Sequence, residues 1–324
     1  MNALTPRFLP HTTQQTFLTD GGLETVLVFQ KGIELPSFAS IVLMKTPEGR
    51  DFLKTYFEPF VGIARATGCG LILESPTWRA SPDWQAAVGF MELDQLADAN
   101  TASIALLDEV RQGFETNTAP MLISGCIGPR GDGYSPDTTM SAEEAETYHA
   151  WQIKILKDAG VDLISALTLT TINEAVGLTR AAQKADIPVA ISFTIELDGR
   201  LPSGSTLGEA IESVDNATQS APAYFMINCA HPEHITQTLQ PVGAWRERIG
   251  GIRANASRCS HAELDACETL DDGNPTELGS QVAELRNFFP NLTVMGGCCG
   301  TDYRHIAEIA RAATSPKQDQ KAAA

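Results

Sequence analysis

Residues 162–194, DLISALTLTTINEAVGLTRAAQKADIPVAISFT, place a longer segment of helical pattern between two short apolar segments. The short segments, 162–166 and 189–194, are apolar and partly β-branched, which is typical of buried strands. The intervening residues 172–185 have the length and pattern of a helix. A strand, a helix and a second strand in this order predict a βαβ unit with two parallel strands.

The same alternation continues in both directions along the chain. Eight short apolar segments predict strands, and most of them are bounded by Gly, Pro, Asn or Ser. The predicted strands are 17–20, 70–74, 121–125, 162–166, 189–194, 224–229, 251–254 and 292–296. The predicted helices are 47–67, 93–116, 142–159, 172–185, 207–218, 232–239, 276–288 and 303–312. Ser141 with Glu144 predicts a capping box at the start of one of these helices.

Eight strand–helix units predict a single-domain α/β fold, the (β/α)8 TIM barrel, over residues 1–313. The length of 324 residues suits one such barrel. A doubly wound open sheet is the alternative, but the turn after the first strand, Asp20-Gly21-Gly22-Leu23-Glu24, lacks the Gly-x-Gly-x-x-Gly pattern. Residues 314–324, which contain Lys, Gln and a terminal Ala run, are predicted to form a disordered tail.

The composition, 43% hydrophobic and 19% charged, is that of a soluble globular protein. A formal net charge of −17 argues against nucleic acid and anionic membrane surfaces as partners, because no basic footprint is present. No apolar run approaches the roughly 20 residues that span a bilayer, and residues 1–15 do not resemble a signal peptide. We therefore expect a cytoplasmic protein, and a homo-oligomer stays open.

Three of the seven cysteines fall where predicted strands end. Cys229 ends the sixth strand, and Gly296-Gly297-Cys298-Cys299-Gly300 follows the eighth. In a (β/α)8 barrel the carboxyl ends of all strands meet at one mouth, where the active site lies. The glycines permit the sharp turn that lets two adjacent cysteines share an ion. Three thiolates would leave one tetrahedral position open, which is typical of catalytic zinc. The sequence therefore predicts Zn²⁺ on Cys229, Cys298 and Cys299.

The other cysteines have plainer interpretations. An odd number of cysteines in a chain expected in the cytoplasm favours free thiols, core side chains or ligands over a set of disulfides. Cys69 and Cys126 are expected to be small buried side chains. Cys259 and Cys267 lie in a polar segment, 257–274, that is predicted to be a long loop, and their role stays open.

The chain resembles the homocysteine S-methyltransferase family in motifs that run nearly from end to end. The most specific is the Gly-Gly-Cys-Cys-Gly segment at 296–300, followed by Ile227-Asn228-Cys229. The others are Asp20-Gly21-Gly22, residues 125–129 and Ser192-Phe193-Thr194. The resemblance implies a zinc (β/α)8 barrel in which the three cysteines are the ligands and a thiol amino acid is the methyl acceptor.

On this resemblance the protein is expected to be a methyltransferase whose partners are a small-molecule thiol acceptor and a methyl donor. It would move a methyl group from a sulfonium or quaternary ammonium donor to a thiol such as homocysteine, a reaction of methionine biosynthesis. Two alternatives stay open. One is a zinc-dependent hydrolase or lyase that uses zinc-bound water, and the other is a non-enzymatic metal-binding protein. A separate protein that brings methylcobalamin is a further open source of the methyl group.

The resemblance also implies which residues bind the acceptor, and here the chain departs from the pattern. Asp20 matches an aspartate that lies close to the amino acid, and Gly21 and Gly22 of the same motif are predicted to bind substrate. After the fourth strand the family usually has Glu-Thr, and that Glu binds the acceptor's ammonium group. This chain has Leu167-Thr168. Because an unpaired buried charge is costly, either another carboxylate replaces the Glu or the acceptor is not homocysteine.

Three carboxylates are candidates for the replacement. Glu196 follows the fifth predicted strand, and we predict it to be catalytic together with Asp20. Glu74 ends the second strand and is predicted to bind substrate. Glu24 is the third candidate.

Three further residues are placed at the mouth by the strand pattern. Trp78 could cover a cationic methyl donor through a cation–π contact or pack on the barrel rim, and it is predicted to bind substrate. Arg79 could bind a substrate carboxylate, but in so acidic a chain we favour an acidic neighbour as its partner. Asn255 ends the seventh strand and could support a cysteine loop, but it is also predicted to bind substrate. The Gly-rich segment 128–133 is predicted to form a loop over the mouth.

Overall fold

The computed structural model describes residues 8–134, 140–239 and 242–315. Each strand pairs in parallel with the next strand along the chain, and the last strand pairs with the first to close an eight-stranded barrel. The strands are β1 (Phe17–Leu18), β2 (Gly70–Glu74), β3 (Met121–Ile127), β4 (Leu163–Leu169), β5 (Val189–Phe193), β6 (Tyr224–Ala230), β7 (Ile249–Ala254) and β8 (Val294–Gly297). The predicted (β/α)8 barrel is confirmed, and the open sheet is wrong because β1 and β8 pair with each other.

The helices lie between consecutive strands on the outside of the barrel. They are α1 (Leu23–Thr25), α2 (Pro47–Thr67), α3 (Leu93–Phe114), α4 (Ala142–Ala159), α5 (Ile172–Lys184), α6 (Leu207–Thr218), α7 (Pro232–Gln237), α8 (His261–Asp265), α9 (Pro275–Glu284) and α10 (Tyr303–Thr314). The predicted bounds of α2, α4 and α6 agree with the structure at both ends. Each of these helices begins at a side-chain cap, because Thr46, Ser141 and Thr206 each accept a hydrogen bond from the backbone amide three residues later.

The hydrophobic core has two parts. One layer fills the inside of the barrel and includes Phe17, Leu122 and Tyr224. A larger cluster fills the space between the strands and the surrounding helices. Because the inner layer comes mainly from the first halves of the strands, the carboxyl ends remain available for polar residues, as in other (β/α)8 barrels.

The strand ends differ from the sequence prediction in ways that shape the mouth. β1 ends at Leu18, whereas β3 and β4 continue to Ile127 and Leu169. The pairing of β4 with β5 shifts register between Ala166 and Leu169, and Thr168 has φ 65°. The fourth strand therefore ends in an irregular segment, which the apolar pattern does not encode.

The carboxyl-terminal end of the chain is described only as far as residue 315. Thr314, where the predicted tail begins, is the last residue of α10. Residues 316–324 of that predicted tail lie outside the described residues. Within the described part of the chain, no helix has the length and apolar character needed to cross a membrane.

Candidate active site

A cavity of about 480 Å³ opens at the carboxyl ends of the strands. This volume lies within the range of small-molecule sites. Nearly all of the residues predicted for the site line the cavity: Asp20, Gly21, Gly22, Glu74, Trp78, Cys229, Asn255, Cys298 and Cys299. Of the predicted site residues, Glu196 is the one that the structure leaves outside the lining.

The three cysteines predicted as ligands lie together in this cavity. The sulfur atoms of Cys229, Cys298 and Cys299 all lie within 4.8 Å of one another. The sequence predicted Cys229 and Cys298 as metal ligands and favoured no disulfide, yet these two cysteines are joined as a disulfide in this structure, with Cα atoms 5.4 Å apart. The ends of β6 and β8 converge at the mouth and bring the two sulfur atoms close together. Sulfur atoms this close can form a disulfide or bind the same metal ion. Metal binding requires the reduced form, because thiolates are the ligands. Cys69 and Cys126 are buried, as expected.

Cys229 is held in an unusual backbone conformation by its neighbours. It has φ 54°, a value that non-glycine residues rarely adopt. Its carbonyl accepts a hydrogen bond from Asn255 Nδ2 at 3.2 Å and lies 2.7 Å from His261 Nε2. The preceding residue, Asn228, accepts hydrogen bonds from Thr168 N at 2.8 Å and Ser192 Oγ at 2.6 Å. Asn228 thus ties the ends of β4, β5 and β6 together beneath the Cys229 sulfur.

The glycines around Cys298 and Cys299 serve close packing more than backbone freedom. Only Gly300 of the three has positive φ, at 79°. A Cβ atom at Gly296 would collide with the side chain of Thr19, and one at Gly297 would collide with that of Thr301. The expectation that all three glycines are needed for the turn is therefore corrected: two are needed for space. Gly21 and Gly22 are packed in the same way, against the backbone of Thr301 and Cys298 respectively.

The donor set suits a thiophilic divalent ion. Three sulfur ligands at one open mouth match the protein part of a catalytic zinc site. Burial raises the pKa of the Cys299 thiol to about 11. A nearby positive charge would therefore be needed to keep this sulfur ionised at neutral pH. Tyr134, from the loop after β3, lies close to Cys299 and packs its ring 4.3 Å from that of His261. The residues present therefore fit a zinc ion.

Arg253, on β7, is a central residue of the site that the sequence analysis missed. It is 5% exposed, and its Nη2 donates a hydrogen bond to Asp20 Oδ1 at 2.7 Å. Its Nη1 lies 3.7 Å from Glu74 Oε1, and its Nε donates to the carbonyl of Gly297 at 3.1 Å. The available signal was a lone arginine inside an apolar strand segment of an acidic chain, since a buried guanidinium requires carboxylate partners.

Asp20 and Glu74 are thus linked through Arg253 beneath the mouth. Asp20 also accepts a hydrogen bond from the Tyr56 hydroxyl at 3.1 Å. Burial raises the pKa of both carboxyls, and the Arg253 charge opposes that rise. Oε2 of Glu74 is buried without a hydrogen-bond partner among the described residues. Two carboxyl groups therefore share one guanidinium. When both carboxyl groups are ionised, the three side chains together carry a net negative charge.

Leu167 lines the cavity and is 7% exposed. Its backbone carbonyl accepts a hydrogen bond from Trp78 Nε1 at 3.3 Å. The Arg79 guanidinium lies 4.7 Å from the ring centroid of Trp78 and 3.2 Å from Asp132 Oδ2. Arg79 therefore has the acidic partner that the composition suggested. Trp78 lines the cavity and also packs against Arg79 and the Leu167 carbonyl, and substrate binding by Trp78 stays a prediction.

Glu196 lies beside the site rather than in it. Its Oε1 is 3.2 Å from His261 Nδ1, and the opposite ring nitrogen of His261 faces the Cys229 carbonyl. Glu196 is therefore connected to the segment that carries Cys229 through His261. Because Glu196 does not line the cavity, its position does not support the predicted role as the carboxylate that replaces the family's Glu. His261 itself was not singled out, because α8 lies in a segment that the sequence analysis took for a loop.

The profile of the family described as Homocysteine S-methyltransferase matches residues 17–313. The chain is 24% identical over 327 residues to "Homocysteine S-methyltransferase YbgG" of Bacillus subtilis (strain 168), covering 94% of this chain and 96% of that protein. It is 27% identical over 223 residues to the "Betaine-homocysteine S-methyltransferase" of Drosophila melanogaster, covering 62% of this chain and 64% of that protein.

A similar fold has been solved by crystallography. The metallated form of the homocysteine methyltransferase MmuM from Escherichia coli superposes with a TM-score of 0.70 at 22% sequence identity, covering 94% of this chain and 97% of that chain. The oxidized form of the same protein superposes with a TM-score of 0.71. At this level of identity the similarity supports the barrel fold.

Proposed function

This chain belongs to the homocysteine S-methyltransferase family and is a methyltransferase, and we propose that it transfers a methyl group to a zinc-activated thiol. The proposed acceptor is a thiol amino acid such as homocysteine. The proposed donor is a sulfonium or quaternary ammonium compound. Zinc is proposed to bind Cys229, Cys298 and Cys299.

The observation that carries this proposal is the placement of the three cysteines. Their sulfur atoms lie within 4.8 Å of one another, and the three residues line the cavity at the barrel mouth. A structural zinc site is usually closed by a fourth protein ligand. Within the described residues no fourth His, Cys, Asp or Glu joins this cluster. The absence of a fourth protein ligand from this cluster favours a metal site whose fourth coordination position is filled by a substrate thiol.

Zinc bound there would supply the positive charge that makes the acceptor thiol a thiolate, the reactive nucleophile, at neutral pH. In the reaction the acceptor loses its thiol proton to solvent, and its sulfur forms a new bond to the methyl carbon. The bond between that carbon and the donor heteroatom breaks, and its electron pair returns to the donor. The chain's own residues would hold the two reactants in line, which is where much of the rate enhancement arises.

The charges of the cavity support a cationic donor. Among the described lining residues, the carboxylates of Asp20, Glu24, Glu74, Asp132, Asp265 and Asp271 outnumber the guanidinium groups of Arg79 and Arg253. Such a cavity attracts positively charged ligands. The indole of Trp78 adds an aromatic face at the same wall. The donor loses its positive charge on transfer, so the product would bind less tightly than the donor.

Membership in a methyltransferase family favours thiol methylation over the hydrolase or lyase and over the non-enzymatic alternative. Cytoplasmic location and a role in methionine biosynthesis remain predictions, and a methylcobalamin-carrying partner protein and assembly into a homo-oligomer stay open.

Two measurements on the reduced protein test the proposal. Metal analysis should find about one zinc per chain, since three thiolates form a tight site. Zinc-loaded protein should methylate homocysteine from S-methylmethionine or betaine, with the product detected by mass spectrometry. Protein that carries stoichiometric zinc but methylates no thiol in a panel of acceptors and donors would contradict the proposal.

A further inference from the structure

We propose that Glu24 binds the ammonium group of the acceptor and so selects amino thiols over other thiols. The inference rests on the proposed function, because it assumes that the acceptor thiol enters the cavity beside the three cysteines. An amino-acid acceptor carries an ammonium group, and an ammonium taken out of water requires a carboxylate partner. The question is therefore which carboxylate of the cavity is available.

Most carboxylates near the mouth already have partners. Asp20 is paired with Arg253 at 2.7 Å, and Asp132 is paired with Arg79 at 3.2 Å. Glu74 lies 3.7 Å from the same Arg253. Glu196 contacts His261 and does not line the cavity. The remaining lining carboxylates, Asp265 and Asp271, are exposed, so solvent weakens any ion pair that they form.

Glu24 is within the electrostatic reach of Arg253 and Arg79 but is in direct contact with neither. It is partly buried, lines the cavity, and forms no ion pair within 4.0 Å among the residues described. The hydroxyl of Ser40 donates a hydrogen bond to Glu24 Oε1 at 2.7 Å. This contact orients the carboxylate without neutralising it. A partly buried, oriented and unpaired carboxylate is suited to a cationic group from a ligand.

The position of Glu24 relative to the cysteines is fixed by the contact between two loops. The Thr25 hydroxyl accepts a hydrogen bond from the Gly300 amide at 3.2 Å, and the Gly22 amide donates to the Thr301 carbonyl at 3.0 Å. The segment that carries Glu24 is therefore anchored on both sides to the segment that carries Cys298 and Cys299. In homocysteine, three carbon atoms separate the sulfur from the amino nitrogen, so both groups would lie within this joined pair of loops.

Two other buried acceptors of the cavity have no hydrogen-bond partner, although two buried donors there, Arg79 Nε and Arg253 Nη1, also have none among the described residues. Oε2 of Glu74 and Oδ1 of Asn255 have no partner among the described residues, and these side chains are 5% and 3% exposed. Both residues line the same cavity. Buried acceptors without donors are costly, and a ligand that brings an ammonium group supplies three donors.

The test compares two thiols that differ only in the amino group. Reduced, zinc-loaded wild-type and Glu24→Gln proteins are titrated calorimetrically with homocysteine and with 4-sulfanylbutanoate, which lacks the amino group. Glu24→Gln should weaken homocysteine binding by about 10- to 100-fold, the range for a lost hydrogen bond to a charged group. Binding of the analogue should change by less than about twofold, because it makes no contact that depends on the Glu24 charge.

Two further variants sharpen the result. Ser40→Ala removes the hydroxyl that orients Glu24, and it should reduce homocysteine affinity in the same selective way but to a smaller extent. Glu74→Gln makes the same isosteric change at the neighbouring carboxylate. The proposal is overturned if Glu74→Gln rather than Glu24→Gln causes the amino-selective loss, or if Glu24→Gln weakens both thiols equally.

Failure of this inference can be distinguished from failure of the proposed function. If zinc-loaded wild-type protein binds and methylates no thiol, the proposed function fails. If wild-type protein methylates homocysteine and Glu24→Gln has an unchanged KM for it, only the role of Glu24 fails. A rise in KM for the methyl donor alone would assign Glu24 to the donor and likewise overturn the proposal. Zinc content and far-UV circular dichroism should be equal in all variants.

Discussion

The buried ion pair between Arg253 and Asp20 gives a prediction that the structure makes quantitative. Arg253→Met keeps much of the side-chain volume but removes the guanidinium, which is 5% exposed in the wild-type protein. Asp20, 3% exposed, would lose its 2.7 Å cationic partner and retain only hydrogen bonds from neutral donors, such as the Tyr56 hydroxyl. Removing one partner of a buried pair costs about 3–5 kcal/mol, because the other charge remains buried and unpaired. A protein domain is stable by only about 5–15 kcal/mol, so the change should be large.

The pH dependence of this variant has a defined sign. Burial already raises the pKa of Asp20, and Arg253 opposes that rise. Without Arg253 the pKa of Asp20 in the folded state must rise further above its unfolded value. A carboxyl with a raised folded pKa destabilises the fold when it is ionised, and this destabilisation disappears as the pH falls through the folded pKa. The stability difference between wild type and Arg253→Met should therefore be greatest at neutral pH and should shrink on mild acidification.

Urea unfolding of the reduced proteins, followed by circular dichroism, measures the effect. The matched control is Arg311→Met, which removes an arginine from an exposed pair with Glu308, where the arginine side chain is 58% exposed. That change should cost no more than about 1 kcal/mol. In the double variant Asp20→Asn with Arg253→Met, at least about 2 kcal/mol of the single-variant loss should return, because position 20 no longer carries a buried unpaired charge and only Glu74 still lacks its guanidinium. The reasoning is refuted if Arg253→Met is as stable as Arg311→Met, or if the double variant is no more stable than Arg253→Met alone.

Three further predictions concern the metal site and the helices. Cys298→Ala should abolish bound zinc and methyl transfer while circular dichroism stays unchanged, since the site lies at the mouth and not in the core; full zinc retention would contradict the ligand assignment. Gly297→Ala should lower stability by about 1–3 kcal/mol and reduce zinc content, because its Cβ would collide with Thr301; an unchanged melting temperature would contradict this packing. Ser141→Ala should cost about 1 kcal/mol through loss of the α4 cap and leave zinc content unaltered, and it serves as a stability control without a site effect.

Much of the barrel could be predicted from the sequence because its units are local. Periodicity distinguishes the strands from the helices, and capping residues such as Ser141 fix where helices begin within a single turn of chain. The positions at which the strands end were predicted less accurately. β4 extends to Leu169 through a register shift and a residue with positive φ. That irregularity is held by Asn228, which lies 60 residues away in the chain.

The cysteine cluster was also predictable, for a topological reason. In a closed parallel barrel, a residue at the carboxyl end of any strand must lie at the mouth, whatever its distance along the chain. Cys229 and Cys298 are separated by 69 residues and still meet there. The chemistry of the trio then follows from residue type, because three thiolates with one open position suit zinc.

Only the tertiary structure decided which charged side chains of the site pair with one another. Asp20, Glu74 and Arg253 come from three different strand ends, and Glu196 contacts His261 instead of entering the cavity. Partnering of this kind depends on the direction of each side chain at an irregular strand end and on the loop packed beside it. Neither is a property of local sequence. The sequence by itself therefore determined the barrel and the meeting of its three cysteines at the mouth, whereas the tertiary structure decided which carboxylates of the cavity pair with Arg79 and Arg253.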